Sequence, residues 1–328
     1  MSVLVTGGAG YIGSHTVLEF LEASEEVVIV DSLEKGHKEA VLGGKLYCGN
    51  LRDEEFLDKV FSENEIEAIV HFAAYSLVGE STVDPLKYYN NNVVGSLRLI
   101  GKMKQYGVKN IVFSSTAATY GEPENIPIRE TDNTYPTNPY GETKLAVEKA
   151  LKWADKAYGL KYVSLRYFNA AGAHPSGKIG EDHNPETHLI PIVLQVASGK
   201  RDRISIFGND YNTPDGTCIR DYIHVTDLAR AHVLALKYLR NGGESNTYNL
   251  GNGQGFSVNE VINIAREVTG EKIDAVMSDR RPGDPAILVA SSEKIKKELQ
   301  WQPEYDNLHT IIETAWNWHK AHPDGYGK

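Results

Sequence analysis

Short apolar runs alternate with longer, helix-like stretches along the first half of the chain. Most runs are rich in Val and Ile, and roughly 25 to 50 residues separate one from the next. The runs that predict strands are Val3–Val5, Val27–Val30, Ala68–Phe72, Asn110–Ser114 and Tyr162–Leu165. A helix-length segment lies between successive runs, which is typical of βαβ units. The pattern therefore predicts a parallel sheet that is buried on both faces.

The regular alternation of apolar runs and helix-like stretches ends after about Asn169. Residues 173–187 are rich in glycine, proline and histidine, and they predict a long loop. Beyond this loop, Ile204–Phe207 and Thr247–Leu250 predict strands, whereas Thr226–Leu239 predicts a helix. The sequence contains no repeats and no low-complexity linker. We therefore expect the second half to form a smaller mixed unit that packs against the first.

Two further helices are indicated towards the C-terminal end. In the stretch SVNE, Ser257 can cap a helix while Glu260 reaches back, and apolar residues follow at helical spacing. The segment LHTIIETAWNWHK, residues 308–320, has the pattern of an amphipathic helix. We predict an α/β fold with a Rossmann-type, doubly wound parallel sheet and a smaller mixed α/β domain. The domains are 1–169, to which 220–250 returns, and 170–219 together with 251–328.

Charge and cysteine content narrow the possible functions. The formal net charge is −10 over 328 residues, which argues against nucleic-acid or anionic-membrane binding because phosphate groups require a basic surface. Cys48 and Cys218 lie far apart and form no CxxC, so they indicate neither a disulfide framework nor a zinc site. No apolar run approaches the ~18 residues that span a bilayer, and we find no signal-peptide pattern. We therefore expect a cytoplasmic protein.

A glycine-rich turn follows the first predicted strand. In VLVTGGAGYIGSH the turn carries Gly7, Gly10 and Gly13 and opens a helix. Such glycines let the backbone approach a pyrophosphate, which the free N–H groups of the helix N-terminus then bind. Asp31 ends the next apolar run 18 residues after Gly13, close to the ~20 at which an acid binds the adenosine ribose. The context predicts a site that prefers NAD to NADP, since this carboxylate would repel a 2′-phosphate. The alternative is an ordinary strand-end acid.

Tyr140 and Lys144 lie four residues apart, directly after Pro139, in the segment NPYGETK. If Pro139 begins a helix, both side chains project from one face. A phenol titrates near ~10, so a tyrosine base at neutral pH needs a pKa about three units lower. A cation at ~4 Å supplies roughly that much at an effective dielectric of ~20. The spacing predicts that Tyr140 takes a proton from a hydroxyl, with Lys144 and oxidised nicotinamide as the cations. A surface helix with a chance tyrosine and lysine is the alternative.

Three hydroxyl residues end another predicted strand. The stretch IVFSSTAATYG places Ser114, Ser115 and Thr116 at its carboxyl end. Ligands of open α/β sheets bind beyond this edge. A hydroxyl at Thr116 can bridge Tyr140 and a substrate hydroxyl, which predicts a catalytic group of Tyr140, Lys144 and Thr116. A Ser/Thr turn without a catalytic role is the alternative.

Further segments carry a family resemblance. They are HFAA at 71–74, YYNNNVVGS at 88–96, LRYFNAAGAHP at 165–175, RDYIHVTDLA at 220–229 and RRPGDPA at 280–286. Together with the glycine turn, FSSTAATYG and NPYGETK, they resemble the nucleotide-sugar epimerases of the extended short-chain dehydrogenase/reductase family over essentially the whole chain. The glycine turn and YxxxK occur across that superfamily. The segments RYFN, RDYIHV and RRxGD are more particular to nucleotide-sugar enzymes.

The resemblance implies an NAD-dependent enzyme that interconverts UDP-galactose and UDP-glucose at C4 through a 4-keto intermediate. NAD would stay bound, and Tyr140 would take the proton from the sugar O4. UDP-N-acetylhexosamines and UDP-uronic acids remain alternative substrates, and Leu288 has an intermediate size at a position that gates N-acetylated sugars. A 4,6-dehydratase is disfavoured, because Thr116 is followed by two alanines instead of an Asp-Glu pair. A non-catalytic NAD-sensing protein is the last alternative, although such proteins tend to lose the tyrosine and lysine.

The resemblance also implies binding residues. The cofactor positions are Gly7, Gly10, Tyr11, Ile12, Asp31, Asn50, Leu51, Phe72, Ala73, Ala74, Asn91, Ser114, Tyr140, Lys144 and Phe168. The substrate positions are Thr116, Tyr140, Asn169, His188, Leu189, Arg220, Arg281 and Asp284. The two arginines would hold the diphosphate, and Asp284 the ribose. Asn50 stands where members of the family often carry Asp, and His188 stands where some carry Asn.

Two expectations concern metals and assembly. The segment EDHNPETH, residues 181–188, contains two histidines and three acids, but its spacings are unlike common zinc patterns. We predict no metal site and assign this segment to a substrate-side loop. The resemblance implies a homodimer formed by the helix that bears Tyr140 and the helix near Tyr88–Tyr106. Apolar faces on both helices are equally compatible with burial against the sheet.

Overall fold

The computed structural model describes residues 1–281 and 284–327. Its strands are β1 Ser2–Thr6, β2 Val27–Asp31, β3 Lys45–Cys48, β4 Ile66–His71, β5 Asn110–Thr116, β6 Lys161–Tyr167, β7 Asn169–Ala171, β8 Ile204–Phe207, β9 Ile219–His224, β10 Asn246–Leu250, β11 Gly255–Ser257, β12 Ala275–Ser278 and β13 Ile287–Leu288. The α-helices are α1 Tyr11–Glu22, α2 Glu54–Glu63, α3 Val78–Val83, α4 Pro85–Tyr88, α5 Gly95–Tyr106, α6 Pro139–Tyr158, α7 Leu189–Ala197, α8 Val225–Arg240, α9 Val258–Thr269, α10 Glu293–Leu299 and α11 Leu308–Ala321. Lys38–Ala40 and Ala117–Thr119 form 3₁₀ turns, and Tyr89–Val94 is π-helical.

A seven-stranded sheet forms the centre of the fold. Its strand order is β10-β6-β5-β4-β1-β2-β3, and every neighbouring pair is parallel. The direction of winding reverses between β1 and β4. In sheets of this kind, the reversal opens a crevice at the carboxyl ends of the strands. The Rossmann-type fold and all five strands expected in the first half are confirmed.

Helices cover both faces of the large sheet, as its valine-rich strands require. On one face, Val17 and Phe20 of α1 and Leu236 of α8 are at most 1% exposed. On the other face, Leu57 of α2 and Leu99 of α5 are completely buried, beside residues of α6. Burial on two sides explains why these strands are continuous apolar runs and do not alternate with polar residues.

The second half forms smaller sheets around a separate core. β8 pairs with β12, and β9 pairs with β7, β11 and β13. Residues of α7, α9 and α11 pack together here, including the fully buried Val193, Val261 and Ile311. The strand expected at Ile204–Phe207 is confirmed. In the described chain, residues 173–187 form a loop without helix or strand, as expected.

The segment after β9 returns to the large sheet. β10 pairs with β6 and completes that sheet, and α8 packs against α1 on its face. The helix expected at Thr226–Leu239 and the strand expected at Thr247–Leu250 both lie in this segment. This return places α8 on one face of the large sheet, whereas β9 belongs to the smaller four-stranded sheet.

Capping groups fix the helix starts that matter for the site. Pro139 is the first residue of α6, and Asn138 Oδ1 accepts a hydrogen bond from Gly141 N at 2.9 Å. A proline at this position and an asparagine cap both favour helix initiation. The capping box of Ser257 and Glu260 is also present at the start of α9. The expected helix starts are therefore confirmed.

Candidate active site

The glycine turn lies between β1 and α1, against the end of β4. Gly7 has a φ of +74°, and a Cβ atom there would lie 2.6 Å from Ala73 N. A Cβ atom at Gly13 would lie 2.0 Å from the carbonyl oxygen of Gly7. Both positions therefore require glycine, because a side chain at Gly7 would collide with the residues after β4 and one at Gly13 would collide with the turn itself.

The N-terminus of α1 opens at this turn. Gly10 is the N-cap residue, and within residues 1–281 and 284–327 no side chain caps the helix. The first N–H groups of a helix have no partner inside it, and they can bind an anion. Tyr11 directs its hydroxyl elsewhere and donates to the carbonyl oxygen of Gly172 at 2.6 Å. Ile12 packs against the core beneath the helix. The residues present fit a dinucleotide pyrophosphate.

Asp31 stands at the end of β2, next to the glycine turn. Its carboxylate accepts hydrogen bonds from Ala9 N at 3.0 Å and from Leu33 N at 2.8 Å. Burial raises the pKa of Asp31, and these two bonds oppose the shift. Each carboxylate oxygen has a further lone pair, so ribose hydroxyls can still bind. Asp31 thus fixes the turn and offers the acceptor expected from the sequence.

The other expected cofactor residues border the same edge of the sheet. Asn50 and Leu51 follow β3, and Asn50 Oδ1 accepts two hydrogen bonds from Arg52, both at 3.0 Å. Phe72, Ala73 and Ala74 follow β4, and the first two donate their N–H groups to the carbonyl oxygen of Thr6. Asn91 lies in the π-helical turn before α5, Ser114 lies in β5, and Phe168 follows β6.

Thr116, Tyr140 and Lys144 come together at the crevice. Thr116 ends β5, whereas Tyr140 and Lys144 lie in the first turns of α6. The three side chains are at most 8% exposed, and the hydroxyls of Thr116 and Tyr140 are hydrogen bonded. Burial raises the pKa of Tyr140, and the hydrogen bond with Thr116 opposes the rise.

Lys144 is held by the strand end. Its Nζ donates to the carbonyl oxygen of Ser114 at 2.8 Å and lies 5.0 Å from the centre of the Phe113 ring. Burial lowers the pKa of Lys144 to about 7, with the charge of Glu148 opposing the shift. The expected lowering of the Tyr140 pKa is therefore not present in the protein alone. The reason is that burial acts against the charged forms of both side chains.

A buried ion pair between Glu148 and Arg166 lies next to Lys144 and Thr116, and the sequence analysis did not predict it. Glu148 accepts hydrogen bonds from Ser115 Oγ at 2.5 Å and from Arg166 Nε at 2.9 Å and Nη2 at 2.5 Å. Both charged side chains are only 8% exposed. The sequence did carry a signal, because Tyr140, Lys144 and Glu148 are spaced four residues apart on one helix face.

Two further supports were also missed. Tyr167 shares a hydrogen bond of 2.6 Å with the hydroxyl of Ser114, the residue whose carbonyl holds Lys144. Ser81 Oγ accepts a hydrogen bond from Tyr140 N at 3.2 Å, at the start of α6. Ser81 lies far away in the sequence and in no recognised motif, so only the fold could reveal this contact.

The expected diphosphate-binding residues lie beside a cleft. Arg220 bonds to Asp284 and donates from Nη1 to the carbonyl oxygen of Ile219 at 2.7 Å. Arg281 lies over the Phe207 ring, 4.0 Å from its centre. Arg281 and Asp284 line a cavity of about 610 Å³, which is large enough for a small-molecule ligand. Pro282 and Gly283 of the RRPGDPA segment lie outside the described residues.

The remaining residues expected to bind substrate lie at the start of β7 and at the start of α7. Asn169 begins β7, and its Nδ2 donates to the carbonyl oxygen of Asp221 at 2.8 Å. His188 and Leu189 stand at the start of α7. The imidazole of His188 faces two carboxylates of its own loop, Glu181 and Glu186.

Comparisons with known proteins agree with this geometry. The model of the NAD dependent epimerase/dehydratase family matches residues 3–251. The chain belongs to this family. It is 61% identical over 326 residues to a UDP-glucose 4-epimerase of Halalkalibacterium halodurans, covering 99% of this chain and 98% of the relative. A solved structure of a UDP-glucose 4-epimerase is 59% identical with a TM-score of 0.98, and the match covers 100% of both chains.

A second solved structure carries ligands. The UDP-glucose 4-epimerase of Bifidobacterium longum, in complex with NAD+ and UDP, is 41% identical with a TM-score of 0.94, covering 99% of this chain and 100% of that one. The comparisons confirm the expected family, fold, epimerase activity and NAD cofactor. Among the helices of the described chain, none has the length and apolar character to cross a membrane.

Proposed function

We propose that the chain interconverts UDP-galactose and UDP-glucose at C4 of the sugar, with Tyr140, Lys144 and Thr116 as its catalytic residues. The observation that carries the proposal is the meeting of these three buried side chains at the carboxyl edge of the sheet, next to the glycine turn. The same edge holds the dinucleotide residues, so the sugar C4 and the cofactor can share one crevice.

Tyr140 and Thr116 have different roles in the reaction at C4. Bound NAD supplies a reversible acceptor for hydride from this carbon. Tyr140 Oη takes the proton of the sugar O4 and later returns it, while the Thr116 hydroxyl orients O4 towards Tyr140. Burial alone raises the pKa of Tyr140. The lowering that a base needs therefore depends on positive charge beside the phenol, from oxidised nicotinamide and from the charged form of Lys144.

Lys144 has two roles in this scheme. Its Nζ is fixed by the Ser114 carbonyl at 2.8 Å, on the face of α6 that also bears Tyr140. From there it can donate to the cofactor ribose and add positive charge beside the phenol. Glu148 stabilises the charged form of Lys144. The ion pair with Arg166 in turn keeps Glu148 in place.

The UDP moiety is assigned to the cleft beside the smaller sheet. Arg220 and Arg281 would bind the diphosphate, because a protein with a net charge of −10 needs local cations to hold such a group. Asp284 would bind the ribose, with Asn169 and Leu189 nearby. The pairing of Arg220 with Asp284 would position the guanidinium before substrate arrives. Leu288 of β13 pairs in register with Arg220, which places it on the strand beside this arginine.

We propose the two-domain division and a homodimer as parts of the same account. Residues 1–169 with 220–250 would bind NAD, and 170–219 with 251–328 would bind the UDP-sugar. The return of β10 to the large sheet supports this division. Exposed apolar residues support the dimer: Leu97 on α5 is 47% exposed and Trp153 on α6 is 66% exposed. Burying them between two copies would remove apolar surface from water.

Incubation with UDP-galactose in D₂O tests the proposed chemistry. The C4 hydrogen leaves and returns as hydride, so it does not exchange with solvent. We expect UDP-glucose that retains protium at C4, seen by proton NMR and mass spectrometry. Deuterium at C4 would indicate proton exchange with solvent and contradict the proposal. A complete lack of conversion would also contradict it.

A further inference from the structure

Four side chains of the types that can ligate a metal meet in the loop between β7 and α7. Glu181, His183, Glu186 and His188 form the pattern ExHxxExH, and one ligand atom from each lies within 4.8 Å of the others. We call these four residues the His–Glu cluster. The sequence analysis assigned the segment to a substrate-side loop because its spacings are unlike those of common zinc motifs. The folded loop brings the side chains together all the same.

The distances in the His–Glu cluster suit tetrahedral coordination. His188 Nδ1 lies 3.0 Å from Glu181 Oε1 and 2.9 Å from Glu186 Oε1. His183 Nδ1 lies 3.1 Å from Glu181 Oε1 and 3.7 Å from Glu186 Oε2. Around a tetrahedral zinc with bonds of about 2.1 Å, neighbouring ligand atoms lie about 3.4 Å apart. Three of the four observed separations are shorter than this value, so an ion at the centre requires these side chains to move slightly apart.

Two atoms of the cluster lack ordinary partners. Glu181 Oε1 and His183 Nδ1 are buried, and with the residues that the structure describes neither forms a hydrogen bond, although they lie 3.1 Å apart. Buried polar atoms are rarely left in this state. The side chains of Glu181 and Glu186 are both only 5% exposed. The two carboxylates carry a charge of −2, which either two protonated imidazoles or one divalent cation with two neutral imidazoles would balance.

The surroundings fix the ligand groups and leave space beside them. Glu186 Oε1 accepts hydrogen bonds from Thr187 N at 2.7 Å and from His188 N at 2.8 Å, so the carboxylate is oriented by its own loop. A cavity of about 60 Å³ adjoins Glu181, His183 and Glu186, enough for an ion and water. The His188 side chain is 45% exposed and provides a way in for an ion.

We propose that the His–Glu cluster binds one Zn²⁺ through His183, His188, Glu181 and Glu186. Two imidazoles and two carboxylates suit zinc, whereas Mg²⁺ and Ca²⁺ prefer oxygen ligands alone. Four protein ligands close the coordination sphere, so the ion is structural and takes no part in the chemistry at C4. In this proposal His188 is a metal ligand, whereas the resemblance implies that it binds substrate.

The bound ion would stiffen a loop that packs on the nucleotide-binding half. The His37 ring contacts the carbonyl oxygen of Asp182 at 2.9 Å, and Lys35 Nζ donates to the carbonyl oxygen of Asn184 at 2.9 Å. The ring of Tyr11, at the start of α1, lies edge-on to His183 with centroids 6.1 Å apart. Zinc at the His–Glu cluster therefore stabilises the contact between this loop and the glycine turn.

Zinc binding to the chelator-stripped, full-length protein tests the proposal without reference to activity. We would titrate zinc in competition with a chromophoric chelator and measure bound zinc by mass spectrometry after dialysis. The wild type should bind one zinc per chain, and zinc should raise its unfolding temperature. The double variant His183→Gln, His188→Gln should bind at least about a hundredfold more weakly and show no such rise. His322→Gln, a matched control on the wall of the same cavity, should behave like the wild type.

Two results would overturn the proposal. One is a wild-type protein that takes up no zinc at micromolar excess, and the other is equal zinc affinity in the wild type and the double variant. If the double variant does not fold, Co²⁺ added to the stripped wild type decides the question. Tetrahedral cobalt has strong visible absorption, so bands that saturate at one equivalent support the site. Their absence would count against it.

Discussion

Lys144 Nζ donates a hydrogen bond of 2.8 Å to the carbonyl oxygen of Ser114, joining the first turns of α6 to the end of β5. Because this carbonyl is part of the sheet, the ammonium cannot move independently of the crevice. The same helix face carries Tyr140 and, one turn further on, Glu148. The proposed catalytic group is thus built from one helix and one strand, which hold side chains more precisely than a loop does.

Replacing Tyr140 with Phe should separate binding from chemistry. The variant loses the hydroxyl that accepts the O4 proton, so we expect turnover to fall by roughly 10²- to 10⁴-fold. Bound NAD should remain, because the glycine turn and Asp31 are unchanged. Turnover measured from initial rates and NAD measured after denaturation check both parts. Near wild-type turnover would show that Tyr140 is not the base.

Thr116 offers a pair of matched variants. Thr116→Val keeps the shape but removes the hydroxyl that bonds to Tyr140, so turnover should fall on the order of 10-fold or more. Thr116→Ser keeps the hydroxyl and should stay within a few-fold of the wild type. The Thr116 hydroxyl also accepts a hydrogen bond from Ala118 N at 3.1 Å, so thermal unfolding of both variants must be compared. Equal turnover in both variants would contradict the role of the hydroxyl.

Lys144 should give a distinctive pH dependence of stability. Burial lowers its pKa from 10.5 to about 7. Between these values the unfolded chain holds a proton that the folded chain releases, so the free energy of unfolding rises with pH. Lys144→Met removes this contribution. Relative to the wild type, the nucleotide-free variant should have its largest stability advantage below about pH 7, and that advantage should shrink by on the order of 2 kcal/mol between about pH 7 and pH 9. Urea unfolding at several pH values measures the difference, and an advantage that grows with pH would refute the assignment.

Removing only one partner of the buried ion pair between Glu148 and Arg166 should lower the free energy of unfolding substantially. Glu148→Gln leaves Arg166 buried without its counter-charge, so we expect a loss of about 3 to 5 kcal/mol in the free energy of unfolding. The double variant Glu148→Gln, Arg166→Met removes both charges and should recover part of that loss. Urea unfolding of the single and double variants tests this coupling. A double variant that is less stable than Glu148→Gln would contradict it.

Local chemistry made much of this fold predictable. β1, β2, β4, β5 and β6 were predicted because strands buried on both sides must be apolar throughout. The start of α6 was predicted from Asn138 and Pro139, which act within a few residues of the chain. β3, Lys45–Cys48, was not predicted, because this edge strand is only partly buried and its residues are mixed. Burial in a sheet leaves a pattern in the sequence, whereas an exposed edge leaves little.

The parts of the site that depend on distant contacts could not be predicted from spacing. Tyr140 and Lys144 share one helix, so their meeting follows from a four-residue interval. The bonds of Glu148 to Ser115 and Arg166 join one helix to two strands, and only the strand order β6-β5 brings those strands together. The His–Glu cluster depends on the course of an irregular loop, for which the sequence has no periodic signal.

Proton NMR of the purified protein with UDP-galactose, without added NAD, tests the central claim most directly. The anomeric signals distinguish UDP-galactose from UDP-glucose. We predict that the same mixture forms from either sugar, because bound cofactor is restored in each cycle. A spectrum that does not change, even after NAD is added, would contradict UDP-galactose 4-epimerisation. UDP-N-acetyl and UDP-uronic sugars would then be the next substrates to measure.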